Sequence, residues 1–381
     1  MPNHDGFLGR LWEEFPQQVY LVGKYDDPRL ELPADDTLRV FIPDLHWLSK
    51  SAQDRYPKDY GFTGNNLLPD GRRPLFGTFL KVLEKVRDKD AQSGGGRLEV
   101  YQLGDAFDLW REKTNAENDA SNAYRRIRED PIIGNLADRL DALSVNFVSG
   151  NHDHWLPKVV PSGQMSQRIK KEWTAAGGKI RLTHGHEYSA LEMGIPDDIQ
   201  AAAVHFWRKV EPSKHGIGIF SKNSMSRIEM IFKLRKHGFR KDFYPKVDPD
   251  GACLIEKISD IQDIESKYGT YLDVAPFSRT PENANDFSHV SYLQFADDII
   301  ASEFSHPKDH SVHAIGHTHG ARLLVDRIPP GRPHVTLDCG GWLGLCNVLL
   351  KGKAESVMVP SAQIGVQYGN DIRIYQLGGA E

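Results

Sequence analysis

Over the first half of the chain, short apolar runs alternate with amphipathic stretches. Residues 38–43 (LRVFIP) form an apolar run rich in β-branched and aromatic side chains. Residues 74–87 (PLFGTFLKVLEKVR) then repeat apolar positions at helical spacing, and residues 98–103 (LEVYQL) are apolar again. A polar, helix-compatible stretch follows, then residues 145–148 (VNFV), a helix around 164–176, and a strand at 180–183. Such alternation predicts stacked βαβ units, with helices covering a mostly parallel sheet. Past Val312 the pattern changes to short runs (VHAI, ARLLVDRI, HVTLDC, ESVMVP, DIRIYQL) separated by Gly, Pro and polar residues, which predicts a β-rich second half. Residues 187–310 interrupt the two parts with helical, basic character and are expected to form an inserted cap. Residues 1–37 are too polar and Pro-containing to assign to an element and are taken as an N-terminal extension, leaving 38–381 as one interrupted domain.

The formal net charge of -5 argues against general affinity for nucleic acid or anionic membrane, so any such affinity has to be local. The start, MPNHDGFLGRLWEEF, has no basic segment followed by an apolar one, and no stretch approaches the roughly 18 apolar residues of a membrane span. A soluble, cytoplasmic protein is expected. The 3 cysteines, Cys253, Cys339 and Cys346, lack zinc-finger or CxxC spacing and are expected to be small core residues.

Polar residues able to bind metal follow each apolar run. Asp44-Leu45-His46 comes after FIP, and in extended backbone i and i+2 face the same way, so this carboxylate and imidazole can share one ion. Gly104-Asp105-Ala106-Phe107-Asp108 follows VYQL, and Gly150-Asn151-His152-Asp153 follows VNFVS. Residues 180–183 lead to His184-Gly185-His186, and VHAI leads to Gly316-His317-Thr318-His319. Each motif alone has an ordinary explanation as a turn or cap; Asp108 could cap the next element, and His186 could be a satisfied core histidine. Their occurrence in order, each ending an apolar run, fits ligands gathered at the carboxyl ends of strands.

The order DxH, GDxxD, GNHD, HGH, GHTH resembles the calcineurin-like metallophosphoesterases, and Gly340-Gly341-Trp342 resembles that family's segment after its last motif. The resemblance covers residues 38–186 and 312 to the C-terminus, and the cap is outside it. It implies an α/β, four-layer β-sandwich flanked by helices, with a helical cap insertion. By the same resemblance Asp44, His46 and His319 hold one ion, Asn151, His184 and His317 hold a second, and Asp105 bridges both. Oxygen and imidazole donors without thiolate suit divalent manganese first, with iron or zinc as alternatives. The implied reaction is hydrolysis of a phosphate ester through a metal-bridging hydroxide, because two such cations retain a small positive charge that draws in phosphate and acidifies bound water. By the resemblance His152 is expected to stabilise the transition state or protonate the leaving oxygen, oriented by Asp153 or Asp44.

In GDAFDLW the motif is similar to the branch containing UDP-2,3-diacylglucosamine diphosphatase, which also inserts helices between its fourth and fifth motifs. This chain differs from that branch in GNHD and in greater length, so a phosphodiester or pyrophosphate of a small molecule or lipid is expected rather than one substrate. Basic residues between Trp207 and Lys246, Lys233, Arg235 and Lys236 among them, are interleaved with Met225, Ile228 and Phe232 at helical spacing. A basic amphipathic helix of this kind can meet an anionic substrate or the inner face of a membrane. Nucleases of double-strand-break repair share the GNHD form and supply the alternative reading, which the acidic net charge disfavours. A non-catalytic scaffold is a third reading, disfavoured because each ligand type is in place.

Overall fold

Arg39 stands on the strand Thr37–Ile42, yet its guanidinium is buried and satisfied within its own neighbourhood. It reaches Asp35 at 2.6 Å, Glu99 at 2.9 Å and the Gln367 side chain at 3.1 Å. The alternation around it sets the layers: Leu38, Val40 and Ile42 enter one apolar core and Phe41 enters the other. A computed structural model describes residues 19–53, 72–93, 97–109, 112, 120–186, 310–317, 321–328, 332–342, 345–349, 356–360 and 362–378. The cap residues 187–309, Trp110 and His319 lie outside them.

The strands in chain order are β1 (Val19–Asp26), β2 (Thr37–Ile42), β3 (Arg97–Gln102), β4 (Asn146–Val148), β5 (Ile169–Lys170), β6 (Trp173–Ala175), β7 (Ile180–Leu182), β8 (Val312–Ile315), β9 (Arg322–Ile328), β10 (Arg332–Asp338), β11 (Leu345–Leu349), β12 (Ser356–Pro360), β13 (Gln363–Tyr368) and β14 (Asp371–Leu377). A 7-stranded sheet has the order β1-β14-β13-β2-β3-β4-β5, a 5-stranded sheet the order β6-β7-β8-β10-β9, and β11 pairs with β12 as a ribbon. Pairing is parallel from β2 through β5, with Val40 opposite Val100, and antiparallel from β1 to β2. The second sheet is also mixed: β7, β8 and β10 run parallel, with β6 and β9 antiparallel at its edges. The fold is therefore mixed α/β.

One core lies between the sheets, joining Phe41, Tyr101, Val148 and Ile374 of the first to Ile180, Val312, Ala314 and Leu337 of the second. Cys339 is buried there as a small core residue. The other core lies between the first sheet and three helices: α1 (Arg72–Ser93), α2 (Ala120–Glu129) and α3 (Pro131–Ala142). In α1, Leu75, Phe76, Phe79, Leu80 and Leu83 recur at the spacing that keeps one helical stripe on the sheet. Asp130 separates α2 from α3 and caps α3, accepting from the backbone N–H groups of Ile132 at 3.0 Å and Ile133 at 3.1 Å. Its other oxygen accepts the Lys50 N–H at 2.8 Å, which ties this helix start to the loop after His46.

The structure departs from the pattern-based expectation in three places. The helix expected around 164–176 is only the turn Gln164–Gln167, because Ile169 pairs with Phe147 and Trp173 with Leu182 as strands. The strand expected at 180–183 belongs to the second sheet, not to the parallel series. Residues 1–37 contribute the edge strand β1, paired along its length to β14. Among the described residues no helix is long and apolar enough to cross a membrane.

Candidate metal centre

Five loops converge at the carboxyl ends of β2, β3 and β4 in the first sheet and β7 and β8 in the second. The backbone pays for this convergence with strain. His46, Asp105 and His317 have φ of 45°, 53° and 68°, a left-handed conformation that disfavours a side chain and persists where surroundings enforce it. The glycines before the polar residues are required by space. A Cβ on Gly150 would lie 2.1 Å from Asp105 Oδ1, one on Gly316 2.3 Å from Asp44 Oδ1, and one on Gly104 2.4 Å from His184 Nδ1. Each glycine is the gap through which a neighbouring loop's polar side chain enters.

Asp44, His46, Asp105 and His184 are almost wholly buried, while Asn151 and His317 are partly exposed at the mouth. His46 Nε2 lies 3.6 Å from both Asp44 Oδ2 and Asp105 Oδ2, with its Nδ1 turned to Asp108 at 3.3 Å. His184 Nδ1 sits 2.8 Å from the Leu103 carbonyl, which can only accept, so this nitrogen carries the proton. His184 Nε2 is thereby aimed at Asn151 Oδ1, 3.0 Å away, and Asp105 Oδ2, 3.2 Å away, to which the protonated ring donates. Donor atoms of His46, Asp105 and His152 lie within 4.8 Å of one another, as do those of Asp105, His184 and His317. Asp105 belongs to both groups, and these buried His and Asp clusters can hold metal ions.

The charge balance of the site fits a cation. Burial depresses the His46 imidazole, but Asp108, Asp44 and Asp105 outweigh it and raise it to about 10. Burial likewise works against a charged His184, and Asp105 and Asp44 again overcome it and raise that ring. Burial opposes ionisation of Asp105, yet His184 and His152 hold it well below the usual carboxylate range. The His317 ring goes the other way, lowered by burial and by the neighbouring imidazoles of His184 and His186. Carboxylates thus draw positive charge into a buried space, which protons satisfy in the bare protein.

The structure corrects the expected partner of His152. Its Nδ1 lies 3.1 Å from Asp108 Oδ1, and its ring meets His46 edge-on at 4.4 Å, so a single carboxylate holds both imidazoles. Asp153 points elsewhere. It accepts from the backbone N–H groups of Gly150 at 2.6 Å, Ala106 at 2.8 Å and Phe107 at 3.4 Å, and stitches the GNHD loop to the GDAFD loop. Burial and the Asp105 charge raise Asp153 to about 7. Asp44 accepts the His317 N–H at 2.8 Å. Asp108 was legible only as the last letter of GDAFD, where a cap explained it equally well.

Further contacts hold the centre in place. The His152 N–H donates to Asp105 Oδ1 at 2.8 Å. The Gly340-Gly341-Trp342 segment lies along the first motif, with Gly341 bridged to Asp44 and the Trp342 N–H donating to the Asp44 carbonyl at 3.1 Å. Trp342 is fully buried and packs on Phe76 with ring centres 4.8 Å apart. His154 is half-buried against Trp155, and the His186 ring is tilted 45° to that of His184 with centres 5.3 Å apart. No protein-family model and no curated protein matches this chain.

Proposed function

We propose that the chain is a hydrolase of phosphate esters that uses two divalent cations, in the manner of the calcineurin-like metallophosphoesterases, on an α/β sandwich of their type. The observation that carries the reading is Asp105, whose carboxylate reaches toward His46 on one side at 3.6 Å and toward His184 on the other at 3.2 Å. Asp44 and His46 belong to one cation site, to which the family resemblance adds His319, a residue outside the described ones. Asn151, His184 and His317 complete the other. Cations held there polarise phosphoryl oxygens and lower the pKa of water.

The chain's own groups do the rest. His184 and His46 are locked in orientation by the Leu103 carbonyl and Asp108, so their donor nitrogens need no reorganisation. Asp108 accepts from His152 Nδ1 and leaves Nε2 to face the substrate. Burial lowers the His152 imidazole to about 4, with Asp108 and Asp105 opposing. A phosphoryl anion beside Nε2 adds the negative charge that favours the protonated ring, which then donates to the leaving oxygen. His152→Ala therefore retains metal and loses most turnover; unchanged turnover removes this role.

The substrate proposed is a phosphodiester or pyrophosphate of a small molecule or lipid, its choice lying with residues 187–310. The test is hydrolysis of bis(p-nitrophenyl) phosphate, p-nitrophenyl phosphate, a nucleotide-linked pyrophosphate and single-stranded DNA with added manganese. Metal-dependent, chelator-sensitive cleavage of the diester or pyrophosphate supports the reading. Cleavage of DNA alone turns it into the nuclease, and cleavage of nothing by the metal-loaded protein overturns it.

A further inference from the structure

Apart from the metal centre, the described residues enclose a cleft of about 660 Å³ between α2 and the segment Val159–Arg168. Its floor is apolar, with Tyr124, Val160 and Met165 buried there and the Tyr124 hydroxyl 3.7 Å from Met165 Sδ. Arg128 and Arg168 line it with partly buried guanidiniums. Each is oriented by an acid through Nη2, Arg128 by Asp138 and Arg168 by Asp141 at 3.0 Å. The Asp141 carboxyl also lines the cleft. Arg128 Nη1 and Arg168 Nε are closed off from solvent and have no hydrogen-bond acceptor among the described residues. The guanidiniums at the cleft wall are planar and favour carboxylate, sulfonate or phosphate oxygens. The volume falls within the usual range for small-molecule sites, which are mostly apolar with a few placed polar groups.

We propose that this cleft is a second ligand site, which takes a small organic anion with an apolar ring body against Tyr124, Val160 and Met165 and its anionic group at Arg128 and Arg168. The wall that would contact the ligand continues directly from the GNHD turn: the Leu156 N–H donates to the Asp153 carbonyl at 2.7 Å, and Tyr124 packs on Phe107 with ring centres 5.2 Å apart. The site is separate from the proposed hydrolysis and stands or falls without it.

The test is fluorescence titration of the full chain with 8-anilinonaphthalene-1-sulfonate, which pairs an apolar ring body with one anionic group. Saturable binding is expected, weakened about tenfold or more by Arg128→Met or Arg168→Met. N-phenyl-1-naphthylamine, the same body without the sulfonate, is expected to bind about tenfold more weakly as well. Ser121→Trp, at an exposed position on the rim, fills the cleft without removing charge and should abolish binding. It decides the matter if the arginine variants fail to fold. Non-saturable binding, equal affinity for the neutral analogue, or binding unchanged in Ser121→Trp overturns the proposal.

Discussion

At the residue scale, the centre depends on side chains that fit only because a neighbour has none. Gly150 leaves room for Asp105, and a methyl group there would meet the carboxylate at 2.1 Å and its backbone nitrogen at 2.6 Å. Gly150→Ala is expected to reduce bound metal about tenfold or more, read by elemental analysis after dialysis. Full metal content in that variant contradicts the geometry. Asp108 holds two imidazoles, so Asp108→Ala is expected to lower kcat about 100-fold, more than it raises KM. An effect on KM alone would make Asp108 a substrate contact instead. Charge gives a third expectation. His46 is raised to about 10 in the bare protein, so cation capture at neutral pH has to displace its proton, and affinity weakens as pH falls. Calorimetric titration with manganese in two buffers of different protonation enthalpy should give different heats; identical heats contradict this.

At the element scale, Asp153 ties the loop after β4 to the loop after β3 through three backbone N–H groups. Asp153→Ala leaves these donors buried without an acceptor and is expected to cost about 3 kcal/mol of stability in denaturant unfolding. A loss of kcat at unchanged stability would restore the part first expected of it, orienting His152. Much at this scale was legible beforehand, since β2, β3, β8, β10 and α1 each carry a pattern that matches their burial. The failures have local causes. Met165, Ile169 and Trp173 recur at helical spacing, but the chain there pairs with β4 and β7, and pairing partners distant in sequence decide the outcome. The run at β7 reads the same whichever sheet it joins. β1 lies at a sheet edge with Leu21 and Val22 exposed, so one-sided burial never imposed a clear alternation on it.

At the scale of the whole molecule, two sheets facing one core deliver five motifs from separate parts of the chain to one end of the fold. The residue types of the site could be read from the ends of apolar runs. Which carboxylate serves which imidazole could not, because that depends on left-handed turns at His46 and Asp105 that bring Asp108, and not Asp153, beneath His152. The same convergence makes Asp105, among the described residues, the side chain common to both donor groups. The decisive measurement is metal content and diester hydrolysis, made side by side on the manganese-loaded chain and its Asp105→Asn variant. About two ions per chain with chelator-sensitive turnover are predicted for the first, and loss of metal together with a fall in kcat of about 1,000-fold or more for the second. Full turnover in Asp105→Asn, or a native chain that binds no divalent cation, would contradict a two-cation phosphoesterase.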